Sequence, residues 1–453
     1  MKLRTTTLLV SLTAATLTPL ALPATASAAP ATYADDFDGD GHRDYAAPLS
    51  VTDTKGGAVR VTYGTPAGPG TRTQVVSQRS PGVPGADETD DMWGGGTRVA
   101  ADFDRDGYGD LVVAAVDEKA GRNKRQGAVT ILWGSKNGLS GGTALPNKNP
   151  EAHGAFGSDL ATGDFNGDGK PDLAAVNDGA AYVYFGPLTR SGARGPVKRL
   201  DRDGAAFDAV SLVAGKVTKD RATDLVVVGP VVRPGVRAVD AWFVRGGRTL
   251  RPGKVLRVDR SGTQAGDGVI ADFDKDGYGD LALGTPEDDR RKGAVTVWRG
   301  GATGPGSAAR LTQATTGMAG TPEEDDQFGA SLSAGDTDRD GYADLAIGVP
   351  GEAVGREEYA GGLHVLRGGP RGLRGTGSRW FARDTRGVPG APGIDDSWGR
   401  TVRLRDTDGD GHADLHVSGA ADSLRLRGSA SGVTTAGVTR WQDGGEAVEG
   451  VLQ

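Results

Sequence analysis

One nine-residue acidic motif, Asp-x-Asp-x-Asp-Gly-x-x-Asp, constrains this chain more than anything else in it. Its first copy reads Asp36, Asp38, Asp40, Gly41 and Asp44. It returns as Asp102, Asp104, Asp106 and Asp110, and again as Asp272, Asp274, Asp276 and Asp280. Two further copies are Asp336, Asp338, Asp340, Asp344 and Asp406, Asp408, Asp410, Asp414. In the copy Asp164, Asn166, Asp168, Asp172 the third position is Asn. A decayed copy spans residues 216–224, with Lys216 at the first position, Thr218 at the third and Arg221 in place of the Gly. Counting that one, seven copies start roughly 62 residues apart, a length suited to one multi-strand unit.

The flanks repeat with the motif. An aromatic-Gly pair precedes it at Trp93-Gly94, Phe156-Gly157, Phe328-Gly329 and Trp398-Gly399. Short β-type runs follow it, starting at Leu111, Leu225, Leu281 and Leu345, and an alternating segment follows each run, as at 127–134, 293–300 and 361–368. Short β-branched runs bounded by Gly and Pro read as strands. A weaker fourth strand is expected near 310–313 and 379–381. Gly makes up 75 of the 453 residues, against a usual ~7%. That excludes a mainly helical protein, because each interior helical Gly costs roughly 1 kcal/mol relative to Ala.

A sheet of four short strands cannot bury a core alone, so successive units must stack. The expected fold is all-β, a seven-bladed β-propeller of four-stranded antiparallel blades, since radial stacking protects most strand edges. The first unit lacks a strand before its acidic motif. Residues 447–453 supply a spare one, so the C-terminal strand is expected to join the first blade and close the ring. An open solenoid is the alternative architecture. Residues 1–28 read as a signal peptide, with Lys2 and Arg4, an apolar stretch over 8–22 and the small-residue site Ala26-Ser27-Ala28. The propeller then occupies 29–453. The chain is expected to be secreted, extracellular, monomeric and bacterial, with no membrane span.

Asp at positions one, three and five of a tight loop can turn three carboxylates toward one point. Gly at position six allows the left-handed turn, and Asp at position nine adds another carboxylate. Position seven offers a backbone carbonyl, from His42, Tyr108, Lys170, Tyr278, Tyr342 or His412. Such an all-oxygen, highly charged cage suits Ca2+ better than magnesium or zinc. About six ions are expected, at an affinity of about 10⁻⁴–10⁻³ M, and they should stabilise the fold by linkage. Lys216 and Arg221 leave the decayed copy without an ion. The loop is not an EF-hand, which needs Glu at position twelve and flanking helices.

Aromatic-Gly pair, acidic loop, Leu-led strand and Gly-x-Pro together resemble the FG-GAP repeat of the integrin α-subunit head, a seven-bladed propeller. The resemblance covers essentially the whole chain after residue 28. It implies that the metal loop joins the first two strands of each blade. Phe207-Asp208 and Asp267-Gly268 depart from the aromatic-Gly pattern.

A net charge of −7 argues against nucleic acid as a partner. With no Cys, a thiolate metal site and a Cys nucleophile are excluded. Gly138-Leu-Ser140-Gly-Gly142 has the Gly-x-Ser-x-Gly spacing, but follows a strand with no helix after it, so no catalytic residue is expected there. The runs Glu323–Asp326 and Arg122–Arg125 read as solvated loops. Trp133, Trp298, Trp380 and Trp441 are expected at equivalent blade positions, packing between blades. Trp93 and Trp398 are candidates to line one face for sugar stacking. The function expected is a non-catalytic recognition or adhesion module for an extracellular protein or glycan ligand. A polysaccharide-binding lectin or polysaccharide-active enzyme on the same frame is the alternative.

Overall fold

The computed structural model describes residues 29–452 apart from 50–54, 90, 152, 203–205, 232, 234, 236–237, 260–265, 421, 442–447 and 449. The segment read as a signal peptide lies outside the described residues, as do 447, 449 and 453 of the tail.

Among the described residues seven antiparallel blade sheets follow one another along the chain, blade 1 over 45–76, blade 2 over 99–144, blade 3 over 160–200, blade 4 over 211–259, blade 5 over 268–311, blade 6 over 332–382 and blade 7 over 401–441. A two-stranded ribbon of Leu188–Thr189 and Gly192–Ala193 is inserted in blade 3. Blade 2 shows the pattern: Val99–Ala101, Asp110–Ala115, Ala128–Trp133 and Ser140–Ala144, paired in that order. The second and third strands are almost wholly buried, whereas the fourth is exposed. Stacking explains the difference. A sheet with a neighbour on each side buries both faces of its middle strands, so these read as continuous apolar runs. Apolar clusters accordingly lie between blades. Val112, Ile131 and Trp133 of blade 2 pack with Leu173, Tyr182 and Tyr184 of blade 3, and Ala346, Leu363 and Val365 of blade 6 pack with Val402, Leu415 and Leu424 of blade 7.

The aromatic-Gly pair joins one blade to the next. The Trp398 N–H donates to the Ala360 carbonyl of blade 6 at 3.0 Å, and the Gly399 N–H donates to Ser418 of blade 7 at 2.9 Å. Gly399 has φ +92°, and Gly361, which faces Trp398, has φ +76°. A Cβ on Gly361 would lie 2.3 Å from the Trp398 carbonyl oxygen, so both glycines are required by the approach of two backbones. Trp93, Phe156 and Phe328 make the same junction.

The fold is the expected seven-bladed β-propeller, closed by the C-terminal tail. Blade 1 has three named strands, Tyr45–Leu49, Ala58–Thr65 and Gly68–Val76. The Ala46 N–H donates to the Gly450 carbonyl at 3.0 Å. Leu452 is buried with Phe37, Ala46 and Val59. Val451 and Leu452 line a central cavity of about 580 Å³ alongside the first strands of the other six blades. The tail thus takes the innermost place of blade 1. The seam between blades 7 and 1 includes Tyr45 edge-on to Trp441 and an Arg425 N–H donated to the Ala67 carbonyl.

Two expectations about tryptophan are corrected. Trp93 and Trp398 are 1% and 0% exposed, because each is the buried aromatic of a blade junction, so neither lines a face. Trp133 and Trp298 end third strands, whereas Trp380 and Trp441 lie on fourth strands, so these four positions are not equivalent.

Candidate metal centres on one face

Each acidic loop connects the first strand of its blade to the second. Val99–Ala101 runs into the loop that ends at Asp110, and Leu332–Gly335 into the one that ends at Asp344. The loops therefore share one face, opposite the aromatic-Gly junctions. Their internal hydrogen bonds are alike. The carboxylate at position one accepts the N–H of the position-six Gly: Asp36 from Gly41 at 2.9 Å, Asp164 from Gly169 at 2.8 Å, Asp272 from Gly277 at 2.8 Å and Asp406 from Gly411 at 3.0 Å. The position-five carboxylate accepts the N–H of position seven, as Asp40 does from His42 and Asp340 from Tyr342, both at 2.9 Å. Tyr108, Lys170, Tyr278 and His412 donate to Asp106, Asp168, Asp276 and Asp410 in the same way. Backbone donors thus fold the loop with its carboxylates pointing inward.

Carboxylate oxygens within 4.8 Å of one another come from Asp36, Asp38 and Asp40; from Asp102, Asp104 and Asp110; and from Asp272, Asp274 and Asp276. Asp336, Asp338 and Asp340 make a fourth such group, and Asp406, Asp408 and Asp410 a fifth. The Asn166 loop keeps the same frame, with Asn166 Oδ1 accepting the Asp168 N–H at 2.8 Å. Donor chemistry and convergence both fit a hard divalent cation. The orphaned atoms fit it too, since Asp104 Oδ1 and Asp336 Oδ1 are buried without a hydrogen-bond partner, a costly state that a cation would relieve.

Position nine does more than sequence reasoning assigned to it. Its carboxylate braces the blade by accepting one bond from within the loop and one from the Gly that follows the third strand. Asp44 accepts from Phe37 at 2.7 Å and Gly64 at 2.8 Å, and Asp110 from Phe103 and Gly134, both at 2.9 Å. Asp172, Asp280, Asp344 and Asp414 repeat the second bond, from Gly186, Gly300, Gly368 and Gly428. Burial, the largest cause, raises Asp44 and Asp110 to about 8; hydrogen bonds to Gly64 and Gly134 oppose it, and nearby carboxylates add to it. Burial likewise raises Asp172 and Asp280 to about 6.

An arginine at most loops was not foreseen. Arg299 pairs with Asp274 at 2.7 Å, Arg367 with Asp338, and Arg427 with Asp408 at 2.8 Å. Each precedes the Gly that ends the third-strand segment, so the repeated Arg-Gly of 299–300, 367–368 and 427–428 was the available signal. Blades 1 and 2 carry Tyr63 and Trp133 at that position. There an arginine from elsewhere lies over the ring and reaches the acidic loop. Arg72 covers Tyr63 and pairs with Asp38 at 2.5 Å, and Arg190 covers Trp133 and pairs with Asp104 at 3.1 Å. Blade 3 has Phe185 at that position, and its loop has the uncharged Asn166. In the six acidic loops charge at position three thus follows the neighbouring arginine, whereas in the decayed loop Arg245 pairs with Asp220 and position three is Thr218.

The remaining candidates are placed plainly. Ser140 opens an exposed strand, Ser140–Ala144, with no helix behind it. His364 is buried against Phe328 and Trp380, and His416 against Trp441. Asp326 is 2% exposed, so the acidic run 323–326 is not simply solvated. Among the described residues no helix is long and apolar enough to cross a membrane.

The FG-GAP repeat family matches residues 266–298 and 328–366, and the FG-GAP-like repeat family matches residues 102–175. Phosphatidylinositol-glycan-specific phospholipase D of Bos taurus is 33% identical over 161 residues, which is 31% of this chain and 19% of that protein. Integrin alpha pat-2 of Caenorhabditis briggsae is 40% identical over 144 residues, covering 28% of this chain and 11% of the integrin. Integrin alpha-3 of Cricetulus griseus is 27% identical over 210 residues, covering 44% of this chain and 18% of the integrin. The matches span about a fifth or less of the length of these relatives.

Proposed function

The chain being an FG-GAP repeat protein that resembles the integrin α-subunit propeller, we propose that it is a secreted, calcium-stabilised recognition or adhesion module. The six acidic loops hold about six Ca2+ ions on one face. The Asp and Asn side chains at positions one, three, five and nine and the carbonyls of His42, Tyr108, Lys170, Tyr278, Tyr342 and His412 are the ligands. The ions offset the carboxylate repulsion and fasten each first strand to its second.

The opposite face recognises an extracellular protein or glycan without catalysis. One observation carries this reading. Tyr359 and Ile394, 37% and 64% exposed, lie on neighbouring connections of that face, joined by the Ser397 N–H donated to Tyr359 at 2.8 Å and the Asp395 N–H donated to Glu358 at 3.1 Å. Exposed large apolar groups on two hydrogen-bonded connections support a contact surface there. The integrin names support adhesion. The phospholipase name supports keeping a polysaccharide- or glycan-directed activity as the second reading.

The test is an array of glycans and extracellular-matrix proteins probed with the purified chain in millimolar calcium and in EGTA. Binding that needs calcium and is lost in Tyr359→Ala/Ile394→Ser supports the module. Turnover of any bound glycan would overturn its non-catalytic character.

A further inference from the structure

The face opposite the acidic loops carries a second kind of oxygen cluster. Gln78, Asp91 and Glu118 form one copy at the passage from blade 1 to blade 2. Gln313, Asp326 and Glu352 form another at the passage from blade 5 to blade 6. In both, the glutamine amide donates to the glutamate, at 2.9 Å from Gln78 and 2.5 Å from Gln313. In both, one oxygen of the aspartate caps a backbone N–H three residues earlier, Glu88 at 2.9 Å and Glu323 at 2.6 Å.

Other oxygens are left over. Gln78 Oε1, Asp91 Oδ1 and Gln313 Oε1 are buried without any hydrogen-bond partner. Their residues are 7%, 0% and 2% exposed. Leaving such acceptors unsatisfied is costly. Burial, and then the facing Asp326, push Glu352 up to about 7. Glu118 and Glu352 are only half-buried, which gives each cluster an opening to solvent.

A third copy shows what the frame is built to surround. The three passages share one turn: the Ser77 N–H donates to Ser80 Oγ, Thr312 to Thr315 Oγ1 and Ala382 to Thr385 Oγ1. The residue after each turn start is Gln78, Gln313 and Arg383. The Arg383 guanidinium, 4% exposed, sits between Asp396 (3.3 Å from Nε) and Asp422. Where the side chain supplies a positive charge, it fills the gap between two carboxylates. Where it is glutamine, the side chain brings an amide N–H to the glutamate and no positive charge between the carboxylates.

We propose that each Gln–Asp–Glu cluster binds one divalent cation through the glutamine carbonyl oxygen and the two carboxylates, with calcium favoured by the all-oxygen, irregular donor set. These two sites lie on the face of the ring opposite the acidic loops, and their occupancy ties the connections of that face to the second strands below them.

The experiment counts calcium bound per chain by equilibrium dialysis at millimolar free ion, with folding checked by circular dichroism. Gln78→Arg/Gln313→Arg copies the third passage into the other two and should bind two ions fewer than the parent. Arg383→Gln should bind one ion more. An unchanged count in either variant overturns the proposal. So does failure of the arginine variant to fold, because Arg383 already occupies the same frame.

Discussion

The loop at 216–224 and the six acidic loops share one backbone plan and differ in what fills the middle. In the decayed loop the Lys216 ammonium donates to the Arg221 carbonyl at 2.9 Å, and Arg245 holds Asp220 at 3.0 Å. Yet Asp224, at position nine, still accepts from Thr218 at 2.8 Å and from Gly246 at 2.9 Å. Position nine survives the loss of the other ligand positions. It is therefore a brace of the blade, whereas positions one and five accept backbone N–H bonds from within their own loop. An internal ammonium stands at the first position of the fourth blade's loop, as the Arg383 guanidinium stands between Asp396 and Asp422 on the other face.

The comparison can be broken or sharpened by measurement. The largest effect should come from EGTA, which lowers the melting temperature by removing ions from six loops together; a site at ten times its Kd contributes about 1.4 kcal/mol. Next, Asp224→Ala should destabilise by about 2–4 kcal/mol, and Asp280→Ala in EGTA by a similar amount, because each strands two buried N–H donors. Urea unfolding reads both, and a silent Asp224→Ala would remove the bracing role.

Burial raises the pKa at position nine in both loop types, Asp224 as well as Asp44 and Asp110. Asp44 and Asp110 titrate near 8 in the folded calcium-free chain and near 3.8 when unfolded. Between those values the folded state holds protons that the unfolded chain has released, so their contribution to calcium-free stability falls as pH rises from about 4 to about 8. Saturating calcium should flatten that slope. Below 6.5 the sign reverses for His416 and His364, lowered by burial to about 3 and about 4. The unfolded chain then binds the extra protons, and melting temperature in calcium should drop as pH falls.

A smaller gain is expected from restoring the decayed loop. Lys216→Asp/Thr218→Asp/Arg221→Gly should add one bound calcium and about 1 kcal/mol in millimolar ion, and lose stability in EGTA. Least of all, Arg299→Gln should tighten calcium at the fifth blade by a few-fold, since an exposed ion pair is worth about 0–1 kcal/mol. Calorimetric titration reads it.

The repeat, the strand order and the acidic loops were legible because each depends on spacing within one blade. The Leu-led run at 111–114 could only be a buried strand, and Gly at position six only a left-handed turn. Some of what escaped lies within a blade, as the Arg299–Asp274 pair does, and the rest depends on contacts between blades. Arg190 reaches Asp104 from the next blade, and no local pattern places it there. Trp93 reads as an exposed aromatic near a turn until the preceding blade covers it. Asp326 sits in a charge run that looks solvated, and is buried by a neighbouring connection that donates the Gly351 N–H to its carbonyl at 3.0 Å.

The Ala46–Gly450 hydrogen bond has a consequence for how the molecule is made and unmade. Two stretches from opposite ends of the polypeptide must find each other before the hoop can latch. That contact is among the most distant in sequence, so it should form late and slowly. Until then the last and first sheets each keep a raw flank. A carboxypeptidase nibbling off Val451 and Leu452 would unbuckle the whole hoop rather than fray one end of it.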